Sequence, residues 1–243
     1  MPIYIAGVDG CPAGWIAVIH ELDCPASAML RLFTNFNNLL EYRPVLAAIA
    51  VDIPIGLPDH IVTGGRAADR EARAVLGQRQ SAVFAVPSRA AVMCTDYRDA
   101  CAMALATSDP PRKVSRQAFN IFAKIREVDV LMSPELQARI FETHPEVAFW
   151  ALNGERPLDL AKKVKSRPNP PGLDYRRALL RQQGYPDSVL LSVEFPKSKV
   201  GPDDILDACV NAWSAARIRT GKARRFPCAP GIDGKGLRME IWG

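Results

Sequence analysis

Two short apolar runs, Ile5-Ala6-Gly7-Val8-Asp9 and Ala48-Ile49-Ala50-Val51-Asp52, each close on an aspartate and meet a turn signal, Gly10 in one case and Pro54 in the other. A short apolar run bounded by turn residues reads as a buried strand that breaks at its carboxy end. If two such strands are neighbours, their carboxylates come together and repel unless a cation or a shared proton intervenes. The pattern suits a divalent-metal site better than ordinary packing, and it commits the chain to a sheet with acids at one edge.

The rest of the chain supplies partners for that sheet. Residues 3–9, 14–20 and 28–34 read as strands separated by Gly, Pro and Asp signals, the first two joined by the tight turn Gly10-Cys11-Pro12-Ala13-Gly14. Phe36, Leu39 and Leu40 have helical spacing before the Leu46–Val51 strand. Residues from 57 to about 135 are mainly helical and polar, with helices expected over Ala67–Leu76 and Arg116–Leu131. This stretch reads as an insertion after the fourth strand. A fifth strand is expected at Ala138–Glu142, then a helix opened by Pro145 and running to about Leu152.

Ala161 to Pro171 is basic and proline-rich and reads as a loop; Tyr175–Gln183 returns to helix, and Val189–Phe195 reads as one more strand. A last helix runs from Pro202-Asp203 to about Thr220, with Ile205, Leu206, Cys209, Val210 and Trp213 on its apolar face. The expected fold is therefore one α/β domain over residues 1–243, a mixed five-stranded sheet flanked by helices.

Composition excludes several classes. The 243 residues are enough for a real core, and no apolar run approaches the roughly 20 residues a membrane span needs. The amino terminus enters a strand without a basic leader, so no signal peptide is expected. The six cysteines include no Cys-x-x-Cys spacing, which leaves zinc and dithiol readings without support and suggests reduced thiols in the cytoplasm. A net charge of +5 is compatible with a polyanionic partner without demanding one.

The acids carry the chemistry. Asp9 and Asp52 stand at strand ends, Glu142 at a third, and Asp204 and Asp207 lie three apart on the final helix. Magnesium and manganese take oxygen ligands, and a pair of such ions stabilises the attacking and leaving oxygens of a phosphoryl displacement. Each acid alone has a simpler reading, as an Asx-turn or a helix cap. Their joint placement is what points to a site. His144, beside the Glu142 strand end, suits a proton shuttle or a phosphate contact, or else a turn residue bonded to backbone.

Several segments carry a resemblance. Gly7-Val8-Asp9-Gly10-Cys11-Pro12-Ala13-Gly14-Trp15, Asp52-Ile53-Pro54-Ile55-Gly56-Leu57-Pro58 and Asp69-Arg70-Glu71-Ala72-Arg73 resemble the domain of unknown function 429 family. So do Leu76-Gly77, Arg79, Ser81, Val83-Phe84, Pro87, Arg89, Glu142-Thr143-His144-Pro145-Glu146-Val147, Phe149 and Asp207-Ala208. That family is regarded as ribonuclease H-like and as a nuclease. The resemblance thus implies a ribonuclease H-like fold and metal-dependent phosphodiester cleavage, with Asp9, Asp52, Asp204 and Asp207 as ligands for Mg2+ or Mn2+. Its order of acids is similar to that of Holliday-junction resolvases, which are dimers; a homodimer and a nucleic-acid substrate follow as expectations.

Basic residues divide into two groups. Arg66, Arg70 and Arg73 fall at helical spacing in the insertion, followed by Arg79, Ser88 and Arg89. Guanidinium groups so arranged fork onto phosphates, and their place in the family's motif favours substrate binding over pairing with Asp69 or Glu71. Lys162, Lys163, Lys165 and Arg167 form a denser run that reads as a solvated face. Trp15, Trp150 and Trp213 are expected in the core.

The function expected is metal-dependent nuclease activity with Asp9, Asp52, Glu142, His144, Asp204 and Asp207 at its centre. The rivals are a nucleotide or small-phosphoester hydrolase on the same fold, and a non-catalytic module that binds nucleic acid or a protein partner. Metal binding lost on Asp52→Asn separates a live site from a retired one.

Overall fold

Three strands at the start of the chain, β1 (Tyr4–Cys11), β2 (Gly14–Glu21) and β3 (Cys24–Phe33), form an antiparallel meander in the computed structural model, which describes residues 2–165 and 167–243. A short helix α1 (Phe36–Leu40), capped by Asn35, leads to β4 (Ala48–Val51). This strand lies parallel to β1 on its other side, Ile5 opposite Ala48 and Val8 opposite Val51.

The chain then leaves the sheet through β5 (Ile61–Val62), α2 (Ala67–Ala74), α3 (Arg89–Met93), α4 (Tyr97–Ala106), β6 (Ser108–Asp109), α5 (Arg116–Phe119) and α6 (Phe122–Leu131). It returns as β7 (Ile140–Glu142), parallel to β4, followed by α7 (Pro145–Leu152). A minimal hairpin of β8 (Lys163–Val164) and β9 (Arg167–Pro168) precedes α8 (Pro170–Gln182), α9 (Asp187–Leu190) and α10 (Pro202–Arg219). The last elements are β10 (Arg225–Ile232) and β11 (Arg238–Trp242). The main sheet has the order β3-β2-β1-β4-β7, the mixed five-stranded arrangement the sequence implied.

Within the chain two compact units can be distinguished. The first comprises the chain up to Asp52, Arg139–Arg224 and Trp242–Gly243; the second comprises Ile53–Ala138 and Arg225–Ile241. The expected insertion is thus the body of the second unit, joined there by a carboxy-terminal hairpin. Pro227 and Pro230 interrupt β10 and hide it from a strand pattern, because proline cannot donate to a ladder.

Other expectations are corrected in detail. β1 does not stop at Asp9 but runs two residues further, to Cys11. The helix expected over 116–131 breaks between Phe119 and Phe122. Val189–Phe195 is not a strand: α9 holds Val189 and Leu190 inside while Val193 is 90% exposed. The apolar run there is too short to bury on two sides, and its second half faces water. α8 begins at Pro170, inside the segment expected to be loop.

Period-two alternation sorts the sheet into faces. Ile5 and Cys11 on β1, Ile16 and Val18 on β2, and Ala48 and Ala50 on β4 belong to one core with Leu206, Cys209 and Val210 of α10, Phe149 of α7 and Leu180 of α8. Gly7 shares the parity of Ile5 and Cys11, and it is where α10 comes closest. A Cβ there would stand 1.8 Å from the backbone nitrogen of Ala212 and 2.2 Å from the carbonyl oxygen of Ala208. Only glycine admits the helix backbone at this distance. Among the described residues no helix is long and apolar enough to cross a membrane.

Candidate functional site

The same alternation places the two strand-end acids. Asp9 follows Ile5 and Gly7 at period two, and Asp52 follows Ala48 and Ala50, so both belong to the face that α10 covers. The ladder continues past Val51, for the Asp52 N–H donates to the carbonyl of Val8 at 3.1 Å. The two aspartates therefore stand side by side on neighbouring strands. Asp9 is 7% exposed, and its Oδ1 accepts from the Gly10 N–H at 2.8 Å; Asp52 keeps partial access to solvent.

The helix brings the third acid. Asn211, fully buried on α10, donates from Nδ2 to the Val8 carbonyl at 2.9 Å and so locks the helix to β1 just before Asp9. One turn earlier stands Asp207, 1% exposed. Its Oδ2 accepts from the Nζ of Lys162, whereas its Oδ1 is buried without a hydrogen-bond partner. Asp204 sits at the rim, its Oδ2 accepting from the Gly201 N–H at 2.8 Å as part of the helix cap. Its neighbour Asp203 pairs with Lys163 at 2.5 Å.

These carboxylates feel one another. Burial raises the pKa of Asp9 well above the ordinary carboxylate range, and the charges of Asp207, Asp52 and Asp204 push it further, against the pull of Lys162. Burial raises Asp52 as well, opposed by His144 and Lys162. Asp207 is pushed up to about 7 by burial, with Lys162 pulling it down and Asp52 and Asp203 adding to the rise. Asp204 is raised by burial and lowered by its bond to Gly201. Lys162 is held protonated by Asp207, Asp9 and Asp52, which together outweigh its own burial.

Lys162 is the residue that sequence reasoning missed. In the sequence it belongs to a run of cations of the kind normally left in water, and nothing local distinguishes it from Lys163 or Lys165. Only the β8–β9 hairpin, which carries the run over the amino end of α10, turns Lys162 onto Asp207 and Lys163 onto Asp203. Glu146 was also passed over as a structural group. It pairs at 2.5 Å with Arg176, a wholly buried arginine whose guanidinium also donates to the carbonyls of Leu160 and Gly172.

Glu142 is buried at the end of β7, opposite Val51 of β4. His144 caps α7, its Nδ1 accepting from the Glu146 N–H at 3.2 Å. All six acid and imidazole candidates thus belong to the first unit.

The basic candidates lie in the second unit, and Arg66, Arg70, Arg73 and Arg89 donate to partners there. Arg66 is buried, paired at 2.8 Å with Asp69 and bonded to the carbonyls of Ile55 and Gly56. Arg70 donates to the carbonyl of Gly65, and Arg73 to those of Gly64 and Val83. Arg89 pairs with Asp129 and Asp233. Ser88 caps α3 through its bond from the Ala91 N–H and bonds to Thr107. Arg79 lies on a 3-10 turn, half-buried.

A divalent cation has suitable donors in the first unit: Asp9, Asp52 and Asp207 are hard oxygen ligands on rigid elements, and one oxygen of Asp207 is buried and unpaired. Among the described residues no three His, Cys, Asp or Glu side chains are already drawn together as a ligand group, and the Lys162 ammonium pairs with Asp207. The donor chemistry fits, with a lysine as the cation in place.

A mixed sheet of this order, with acids on its two central strands and on the helix across them, defines an α/β protein consistent with a ribonuclease H-like fold. The chain belongs to the family described as Protein of unknown function (DUF429), which matches residues 7–231. No curated protein and no solved structure matches it.

Proposed function

We propose that this protein is a metal-dependent phosphodiesterase that cleaves nucleic acid at the acidic centre of the first unit. The observation that supports the reading is the placement of Asp9 and Asp52 side by side on neighbouring strands, beneath the helix that carries Asp207, whose Oδ1 is buried without a partner; burial raises the pKa of all three. A fold keeps such a cluster only at a cost in stability, and functional sites are where that cost recurs. A bound Mg2+ or Mn2+ would supply Lewis-acid stabilisation of phosphoryl oxygens.

The chain's own groups have separable tasks. Asp9 and Asp52 are fixed by the strands and would hold the cation, with Asp207 as the ligand from the helix. Asp204 sets the amino end of α10. Lys162, paired with Asp207, would be released to meet a phosphate oxygen if a cation took that carboxylate, since an ammonium is a point-charge phosphate binder. His144, beside Asp52, is placed to carry a proton to or from solvent.

A second reading is a non-catalytic binding module. It is favoured by Lys162, whose ammonium already compensates Asp207. The test is a panel of labelled single-stranded, duplex, hybrid and four-way-junction substrates, with manganese or EDTA, using wild type beside Asp52→Asn. Cutting that needs both the metal and Asp52 supports the nuclease. Absence of cutting with manganese still bound redirects the reading to a small phosphoester. Absence of both leaves the binding module.

A further inference from the structure

The second unit contains a cavity of about 450 Å³, within the range of small-molecule pockets. Phe84, Pro87, Val114 and Ala118 give it apolar walls; among the described residues its polar lining includes the cations Arg73, Arg112 and Lys113 and no carboxylate. Like charges gathered at one cavity without a counter-charge are unfavourable until an anion joins them.

Arg73 is the fixed member of the three. Its guanidinium donates to the carbonyls of Gly64 and Val83, so the side chain is pinned while its charge stays uncompensated by these neutral acceptors. Asp69, the acid whose charge acts on Arg73, has its oxygens engaged by the side chain and N–H of Arg66 and by the N–H of Val86. Burial lowers the Arg73 pKa, and the charge of Arg70 lowers it further against the pull of Asp69. Arg112 and Lys113 are exposed beside it, and the acid of β6, Asp109, does not line the cavity. Position 64 is fixed as well: its φ is +87°, and a Cβ there would meet the Arg70 side chain at 2.9 Å.

A monocarboxylate would balance only one of these charges. A phosphate monoester carries close to two negative charges near neutral pH and offers three acceptor oxygens, and guanidinium groups match its geometry. The apolar walls suit a flat body attached to that head. We propose that this cavity binds a phosphate monoester with a flat apolar body, of the kind a nucleoside monophosphate presents, its phosphate held by Arg73, Arg112 and Lys113. The proposal is independent of the phosphodiesterase reading, which concerns other residues in the other unit.

The test is calorimetric titration of the full chain with AMP, GMP, CMP and UMP in EDTA, which silences any metal-dependent binding at the acidic centre. At least one nucleotide should bind saturably, and its nucleoside at least tenfold more weakly. The double variant Arg112→Glu/Lys113→Glu changes two exposed side chains, so it should keep the wild-type melting temperature and weaken binding at least tenfold. Inorganic phosphate should compete, and benzoate should not. The proposal is overturned if none of the four binds up to millimolar concentration or if nucleoside and nucleotide bind alike. It is equally overturned if the double variant binds as wild type does, or if benzoate competes better than phosphate.

Discussion

Asp9 shows what the acidic centre asks of single residues. Its carboxylate is buried beside two others, so without a cation its ionised form destabilises the fold at neutral pH. Asp9→Asn should therefore raise the melting temperature in EDTA at pH 8, by about 1–2 kcal/mol of stability, while abolishing any stabilisation by manganese. A lower melting temperature would mean that the carboxylate is a structural group. Asp207 adds a pH window. Its folded pKa, about 7, lies above the ordinary carboxylate value of 3.8. The stability it confers is thus fully present below the lower value and is lost as pH rises towards and through 7. Chemical denaturation of wild type and Asp207→Asn across pH 4–8 should show the variant gaining relative to wild type over that interval. Manganese affinity of wild type should climb over the upper part of it, because the ligand must first shed its proton.

How much of this was legible depended on whether a residue's role is local. That Asp9, Asp52 and Asp207 share one side of the sheet could be read because strand alternation and helix spacing fix where their side chains go. Lys162 could not, since a lysine in a basic run gains its partner only when the β8–β9 hairpin folds over α10. Glu146 and Arg176 escaped for the same reason: they are 30 residues apart, and neither position has a local pattern that demands the other.

At the scale of elements, α10 is the organising piece and Gly7 is its seat. Gly7→Ala would force a methyl group into the backbone of Ala212, so the helix must lift from β1. A loss of about 3 kcal/mol or more is expected from such overpacking, read as a fall in the denaturation midpoint. Because Asn211 and Asp207 ride on the same helix, manganese affinity should fall with it. Arg176 links α8 to α7 in a different way. Arg176→Met should cost about 3–5 kcal/mol, because Glu146 is left buried and charged. The double change Arg176→Met/Glu146→Leu should recover most of that, and a double variant no better than the single would show that the carbonyl bonds of Arg176 matter more than the ion pair.

For the whole molecule, the second unit depends on residues from both of its segments. Asp233, between β10 and β11, accepts from the Leu57 and Leu237 backbone N–H groups and pairs with Arg89. Asp233→Ala removes acceptors from buried donors, and hydrogen exchange should quicken in α2 and α3 while β1 and β4 stay protected. Uniform quickening along the chain would instead show that the units unfold together. The sequence hid this partition because the hairpin is broken by prolines and the insertion is polar and helical throughout.

The interleaving of segments also sets the order in which the polypeptide can mature as it leaves the ribosome. The first four strands emerge early, yet the helix that covers Ile5, Gly7 and Asp9 is made some two hundred residues later. The second unit waits longer still, for the hairpin that carries Asp233. Until then the nascent chain presents an uncovered apolar sheet face, so its vulnerable interval lasts at least through the synthesis of all that lies between β1 and α10.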